Sequence, residues 1–486
     1  MIAIDHSPLL KAISANAERF PNKRAVCVAN GDEVSYTQLM NYIERTAAYL
    51  QSLGLRQGDR IAISAQKDLE FIYVYFAAHA LGVVNIVVDA ESNRQKLDYV
   101  LDLMQPRLAF GFDCTQCRTI SYKDIDFNCP TVTEKPRLTE NDVADLIFTT
   151  GTTGKPKGVQ LSHFNIFSSA DNINQFIKNT EEEVEVLGLP LCHSFGLGRL
   201  RCSLIKGATM VLVGNFANLK IFFNAIEQYH ATGFGMVPAV WAYIRKFSGT
   251  RISKYAPQIK FIEIGSAAMP LSSKEELCEL FPNTRICMHY GLTEASRSAF
   301  MEFHSCHDRL ATIGKPVCDK VDIKIFDDNG NELYDGESGE LCVKGNMVML
   351  GYYQKEDDRN AWYGDYFRTG DSGYKDAEGW LYLVSRIKEI INVGGKKVSP
   401  VEVEDVICAM DGVEDCICIS VPDPDGVLGE VVKCYVQKGG CKLTLEEIRH
   451  GLEGKLESYK IPAVWDWIDV IPKTSSGKKQ RLQLKQ

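Results

Sequence analysis

A short, buried-looking strand, Ala144 to Phe148, opens directly into Thr149-Thr150-Gly151-Thr152-Thr153-Gly154-Lys155-Pro156-Lys157-Gly158. Its four hydroxyls, three glycines and two lysines leave little side-chain bulk, many accessible backbone N–H groups and positive charge. Those are the requirements for wrapping a polyphosphate. The Walker A spacing, G-x-x-x-x-G-K-[ST], cannot be laid onto it. An ordinary surface loop shares this composition, so the meaning of the stretch depends on what else the chain carries.

At 486 residues the chain is long enough for two or more domains. Its net charge of −9 gives no footing for nonspecific nucleic-acid binding, which needs a basic surface. Met1 to His6 has neither a basic stretch nor an apolar core of signal-peptide type, so a cytoplasmic protein is expected. The scattered cysteines, such as Cys416 and Cys418 in an apolar run, then read as free buried thiols. Cys114-Thr115-Gln116-Cys117 and His304-Ser305-Cys306-His307 each lack the further ligands of a tetrahedral zinc site nearby, so neither is read as a metal centre.

Phe71 to Val88 runs eighteen residues without a formal charge, the length of a membrane span. Gly82 divides it into a helix-favouring half and the β-branched Val83–Val88, so a helix followed by a buried strand is expected. Helix-like and strand-like segments alternate from about residue 10 to 320, which predicts parallel α/β sheets. Beyond 320, Val321, Ile323 and Ile325 lead through Asp328-Asn329-Gly330 towards Glu340–Lys344, an antiparallel, barrel-like pattern. The domain boundary is read after Val384: residues 1–385 as the large domain, 386–388 as a hinge, and 389–486 as a small α+β domain. In the small domain Ser399-Pro400 with Glu402, and Thr444 with Glu447, have the form of helix N-termini.

Four further segments are hard to explain as packing: Tyr290-Gly291-Leu292-Thr293-Glu294; Tyr366-Phe367-Arg368-Thr369-Gly370-Asp371; Arg386-Ile387-Lys388-Glu389 with Asn392 to Pro400; and Pro472 to Lys478. In this order and at these spacings they resemble the adenylate-forming superfamily of acyl-CoA synthetases, carrier-loading adenylation domains and luciferases. The resemblance covers essentially the whole chain.

It implies that a carboxylate and ATP give an acyl-adenylate and pyrophosphate, and that the acyl group then passes to a thiol. By resemblance, Thr149, Thr150, Gly151, Thr152, Thr153, Gly154, Lys155 and Lys157 hold the β- and γ-phosphates. Glu294 is the Mg²⁺ ligand and Thr293 bonds the α-phosphate. Gly265, Ser266, Ala267, His289, Tyr290 and Gly291 form the adenine site, with Tyr290 stacked on the base. Asp371 takes both ribose hydroxyls and Arg386 supports the ribose. Lys478 bridges the acid and the nucleotide, Lys388 is the hinge, and Gly394-Gly395 passes close to the pantetheine arm. Thr150 stands where the family usually has Ser, and Ser385 where it has Gly.

Leu189-Pro190-Leu191-Cys192-His193-Ser194-Phe195-Gly196 resembles the acyl-CoA synthetase form of its motif, with His193 at the mouth of the acyl pocket. No Asp occurs between Leu187 and Lys206 to pair an α-ammonium, which favours a simple aliphatic or aromatic carboxylic acid. Val237 to Trp241 and Ala267 to Met269 are read as pocket lining, although Trp241 could equally be core. Arg199 and Arg297 could meet a polar or second anionic group of the substrate, but a surface salt bridge is the plainer reading. The acceptor implied is CoA. A carrier-protein phosphopantetheine is the rival, for which the basic tail Lys478-Lys479-Gln480-Arg481 offers a contact, and a silent nucleotide-binding scaffold is the third possibility.

Overall fold

The structure is a computed structural model that describes residues 4–89, 94–129, 136–150, 156–439, 441–474 and 477–484, without the side chains of Thr150 and Leu482. The uncharged run Phe71–Val88 divides as its composition predicts. Helix Leu69–Leu81 starts at Asp68, whose side chain accepts from the Phe71 N–H at 2.9 Å, and ends at Gly82 with φ 68°. Strand Val84–Val88 follows. The helix is buried on every face, so it carries no amphipathic stripe. Among the described residues no helix is long and apolar enough to cross a membrane.

Two large sheets form the body. One has nine strands in the order Lys315–Pro316, Ala299–Glu302, Arg285–Tyr290, Phe261–Ile264, Gly233–Met236, Val184–Leu187, Thr209–Leu212, Arg24–Val28 and Glu33–Ser35. Its six central strands are parallel. The other has seven, Gly351–Tyr352, Pro156–Ser162, Val143–Thr150, Val84–Val88, Arg60–Ser64, Leu108–Phe110 and Arg118–Ile120, and is parallel from the third strand on. The barrel-like part is a five-stranded antiparallel sheet that begins with the expected hairpin of Val321–Phe326 and Gly339–Gly345.

Helix Ser194–Lys206 joins the two large sheets through two buried guanidinium groups. Residues two apart on a helix point about 200° from each other, so Arg199 and Arg201 face opposite ways. Arg199 forks onto Glu185 at 2.7 and 2.6 Å and reaches Glu263 at 2.9 Å, both in strands of the nine-stranded sheet. Arg201 pairs with Asp145 of the seven-stranded sheet and with the Tyr75 hydroxyl at 2.9 Å. Asp145 also accepts from Tyr75 at 2.7 Å and lies 2.9 Å from His79. Burial alone would raise the Asp145 carboxyl, yet His79 and Arg201 hold it down to about 2. The plainer expectation for Arg199, a surface salt bridge, is corrected here: the residue is fully buried.

The C-terminal part has an apolar core of its own, beginning at Ile391 and including Val398, Val403, Cys416, Cys418 and Val436. A three-stranded sheet, Cys416–Pro422, Glu430–Gln437 and Val464–Ile468, carries helices Pro400–Cys408 and Leu445–His450. Thr444 and Glu447 form the complete capping box. At Ser399 only half of one is made, because the Glu402 side chain turns to Lys460 at 2.7 Å.

If the guanidinium groups fix this helix, Arg201→Met deprives the buried Asp145 carboxylate of its guanidinium. Denaturant unfolding of the large domain should then show a loss of about 3–5 kcal/mol. A loss below ~1 kcal/mol, the range of an exposed pair, would show that the ion pair does not hold the helix.

Candidate active site

Strands Val143–Thr150 and Pro156–Ser162 pair antiparallel, with Thr149 opposite Lys157 and Thr150 opposite Pro156. The two strands that flank the predicted phosphate loop are therefore anchored in the seven-stranded sheet. Gly151, Thr152, Thr153, Gly154 and Lys155 of that loop lie outside the described residues, as does the Thr150 side chain. On the flanking strand, the Thr149 hydroxyl donates to Glu294 Oε1 at 3.4 Å, and the Tyr352 hydroxyl donates to the same oxygen at 2.8 Å. Lys157 pairs with Asp357 at 2.9 Å and lies 4.7 Å above the Tyr352 ring. Tyr352 and Asp357 were not anticipated. Strand Gly351–Tyr352 adds to the edge of Pro156–Ser162 across a long sequence separation, which no local pattern announces.

Tyr290 ends strand Arg285–Tyr290 and donates its hydroxyl to Asp371 Oδ2 at 2.6 Å. Arg386 reaches the other oxygen of Asp371 at 2.8 Å and donates to the Thr369 carbonyl at 2.9 Å. Asp371 and Arg386 are direct cross-strand partners, so hairpin register joins two segments that are separate motifs in the sequence. Each carboxylate oxygen keeps a second lone pair for a further donor. Burial raises the Asp371 pKa, while Arg386, Tyr290 and Lys478 pull it back. Behind this layer, Gly265 lies so close to His289 that a Cβ would stand 2.1 Å from the ring. Ser266 follows with φ 72°, and His289 is held 2.8 Å from Glu263.

The small domain brings Lys478 to the same place. Its loop closes on Thr474, whose hydroxyl accepts from the Lys478 N–H at 3.0 Å, while Gly477 lies against Ala239 at the start of helix Pro238–Ser248. Lys478 faces the solvent of the cleft. The cleft walls nevertheless displace enough water to lower its pKa; Arg386 lowers it further, against the pull of Asp371, Glu294 and Glu389. His193, the N-cap residue of helix Ser194–Lys206, is also lowered, by burial, and feels Lys478 as well. One ammonium thus couples to groups from the hairpin side, the Asp371–Arg386 strands and the helix start.

The remaining expectations fall differently. Lys479 pairs with Glu404 at 3.0 Å and Asp415 at 2.9 Å, and Arg481 with Glu404 at 2.8 Å and Glu389 at 3.0 Å. The basic tail is thereby committed to its own domain. Trp241 is only 2% exposed and packs in the main core. Arg297 is neither a surface residue nor open to the cleft: it is 3% exposed and lies 3.2 Å from Glu263. Lys388 lies in the single 3₁₀ turn Ile387–Glu389, and Gly394 and Gly395 turn with φ 58° and 84° between the strands of a small hairpin.

The profile described as "AMP-binding enzyme" matches residues 13–353, and that described as "AMP-binding enzyme C-terminal domain" matches residues 402–478. The chain belongs to the AMP-binding enzymes. Among curated relatives of this AMP-binding enzyme, an oxalate–CoA ligase of Arabidopsis thaliana is 29% identical over 98% of both chains. The o-succinylbenzoate CoA synthetase (MenE) of Bacillus subtilis, solved with its acyl-adenylate intermediate OSB-AMP, superposes with a TM-score of 0.88 at 27% identity, covering 98% of each chain. The same protein has been solved with ATP and a magnesium ion, with a TM-score of 0.87, 27% identity, and coverage of 98% and 99%.

For this AMP-binding enzyme burial disfavours ionisation of Asp371, and the hydrogen bond from Tyr290, after the charge of Arg386, favours it. Tyr290→Phe removes a donor that favours the carboxylate, so the Asp371 pKa should rise further. The acid limb of kcat/KM for ATP should accordingly move to higher pH. An unmoved limb would show that Asp371 ionisation does not control nucleotide use.

Proposed function

We propose that this chain is an acid–thiol ligase. It activates a carboxylic acid with ATP to an acyl-adenylate, releases pyrophosphate, and transfers the acyl group to the thiol of CoA. The observation that carries this reading is the position of Lys478, coupled at once to Asp371, Glu294, Arg386 and, on the acyl side, His193.

The chemistry explains why such a focus is needed. A carboxylate oxygen must attack the α-phosphorus of ATP, so two anions have to meet while pyrophosphate leaves. Charge neutralisation and alignment are therefore the main tasks of the protein. The hairpin tip with Thr149 and Lys157 holds the β- and γ-phosphates. Asp371 accepts the ribose hydroxyls, oriented by Arg386, and Tyr290 packs against the base with Gly265, Ser266 and Ala267 opposite. Thr293 bonds the α-phosphate, and Lys478 spans the attacking carboxylate and the nucleotide.

Glu294, with the Thr149 and Tyr352 hydroxyls on it, is a cluster of hard oxygens that suits Mg²⁺. When bound there, the ion supplies positive charge to the phosphates. In the second half-reaction the CoA sulfur attacks the acyl carbonyl and AMP leaves. The small domain turns about Lys388, withdrawing Lys478 and presenting Gly394-Gly395 to the slender pantetheine arm. His193 stands at the mouth of the acyl pocket.

CoA is preferred over a carrier protein because Lys479 and Arg481 are paired within their own domain and are not held out for an acidic partner. The reading places the enzyme in the cytoplasm, with ATP and CoA. Pyrophosphate release with a panel of carboxylic acids separates ligase from scaffold. The same acids with CoA, then with a phosphopantetheinylated carrier, identify the acceptor.

Two variants test the alternation of poses. Lys478→Ala should slow pyrophosphate release by roughly 10²–10³-fold, as for loss of a preorganised donor, while sparing thioester formation from supplied acyl-adenylate. Lys388→Pro should slow thioester formation more than adenylation. Equal losses in both half-reactions for either variant would exclude the two-pose scheme.

A further inference from the structure

Glu294 and Thr293 lie in the connection from strand Arg285–Tyr290 to strand Ala299–Glu302, and His193 lies at the start of helix Ser194–Lys206. Adenylation requires these two places to be in register, because one handles the nucleotide and the other the acid. A single side chain spans them. Arg297 donates from one terminal nitrogen to the Ser194 carbonyl at 2.9 Å and from the other to the Phe195 carbonyl at 2.9 Å. Its Nε donates to Glu263 at 3.2 Å, and the guanidinium carbon lies 4.9 Å from the centre of the Phe195 ring.

The fit is tight on every side. Arg297 has φ 53°, a left-handed conformation that a long side chain rarely adopts, so its surroundings hold it there. Gly198 lies one turn into the helix. A Cβ on it would stand 2.4 Å from a terminal nitrogen of Arg297, so a larger residue there must push the guanidinium out of its place. Glu263 is shared with Arg199 at 2.9 Å and with His289 at 2.8 Å. Burial would raise the Glu263 carboxyl, but Arg297 and Arg199 hold it well below the ordinary carboxylate range. Arg297 is therefore fixed by a charge that is itself fixed to the helix and to the adenine-side strand. Thr293, Ser194 and Arg297 border one small cavity that lies between the loop and the helix start.

We propose that Arg297 is a positioning residue for adenylation: it sets the distance between the Thr293–Glu294 loop and the His193–Phe195 turn, and so aligns the acid with the α-phosphate. The proposal rests on the ligase reading. Arg297 touches neither substrate; it acts through two backbone carbonyls and one carboxylate. A Lys in its place keeps the charge for Glu263 but cannot reach both carbonyls.

Two variants test it. Arg297→Lys removes the fork, and Gly198→Ala displaces it from the other side while raising helix propensity. For each, pyrophosphate release and thioester formation from supplied acyl-adenylate are measured beside thermal unfolding. Misplacement by about an ångström predicts a fall in adenylation kcat of up to ~10²-fold. KM for ATP and the thioester step should stay within about threefold, since an alignment loss removes no uniform binding. Equal decline of both half-reactions, tracking the loss of folded protein, would overturn the proposal and leave Arg297 a stability residue. If Arg297→Lys fails to fold, Gly198→Ala decides: normal adenylation by a folded Gly198→Ala protein also overturns it. Wild-type protein that releases no pyrophosphate with any acid would instead overturn the ligase reading itself.

Discussion

Two guanidinium groups buried on opposite faces of one helix hold the catalytic body together. Arg199 ties helix Ser194–Lys206 to Glu185 and Glu263 of one sheet, and Arg201 ties it to Asp145 of the other. Taking such charges out of water is costly, and a well-packed apolar substitute is often as stable. What an ion pair adds is direction: a guanidinium fork accepts its carboxylate in few geometries. Apolar contacts alone would let the helix slide between two sheets, whereas these pairs fix its depth and rotation. The helix start, with His193, inherits that precision.

The cleft solves a problem of like charge. ATP and a carboxylate repel, and the groups that face them arrive from parts of the chain with different freedom. The hairpin flanks and the Asp371–Arg386 pair belong to sheets, and Glu294 lies in the short connection between two strands of the nine-stranded sheet. Lys478 rides on a domain with its own core, and its loop is braced by Lys479 and Arg481 on Glu404. In the proposed scheme, acceptors fixed in the large domain and one delivered cation let charge be supplied for one step and withdrawn for the next. The lowered pKa of Lys478 follows from this placement, since the walls and Arg386 both disfavour a further positive charge.

Much of this was legible in the chain where local chemistry decides the outcome. Gly82 broke the uncharged run as expected, and Thr444 with Glu447 marked a helix start correctly. Motif order led to Tyr290, Asp371, Arg386 and Lys478, which the fold brings to one cleft. Their mutual contacts were not legible, because the Asp371–Arg386 register and the Tyr352 contact depend on strand pairing between distant segments. Arg199 and Arg297 were taken for surface charges because arginine is seldom fully buried. A signal was present: Glu185, Glu263 and Asp145 each interrupt an otherwise apolar strand, and a buried carboxylate demands a buried cation. Counting those three acids against the two arginines of one helix would have pointed inward.

The proposed chemistry begins with attack by the acid's own oxygen at the α-phosphorus of ATP, in a cleft whose charges converge on Lys478. Turnover of an accepted acid labelled with oxygen-18 in its carboxylate, followed by mass spectrometry of the products, tests this directly. The label should appear in AMP, carried there when the thiol displaces the adenylate. Thioester formation with unlabelled AMP, or with label in pyrophosphate or phosphate, would contradict it.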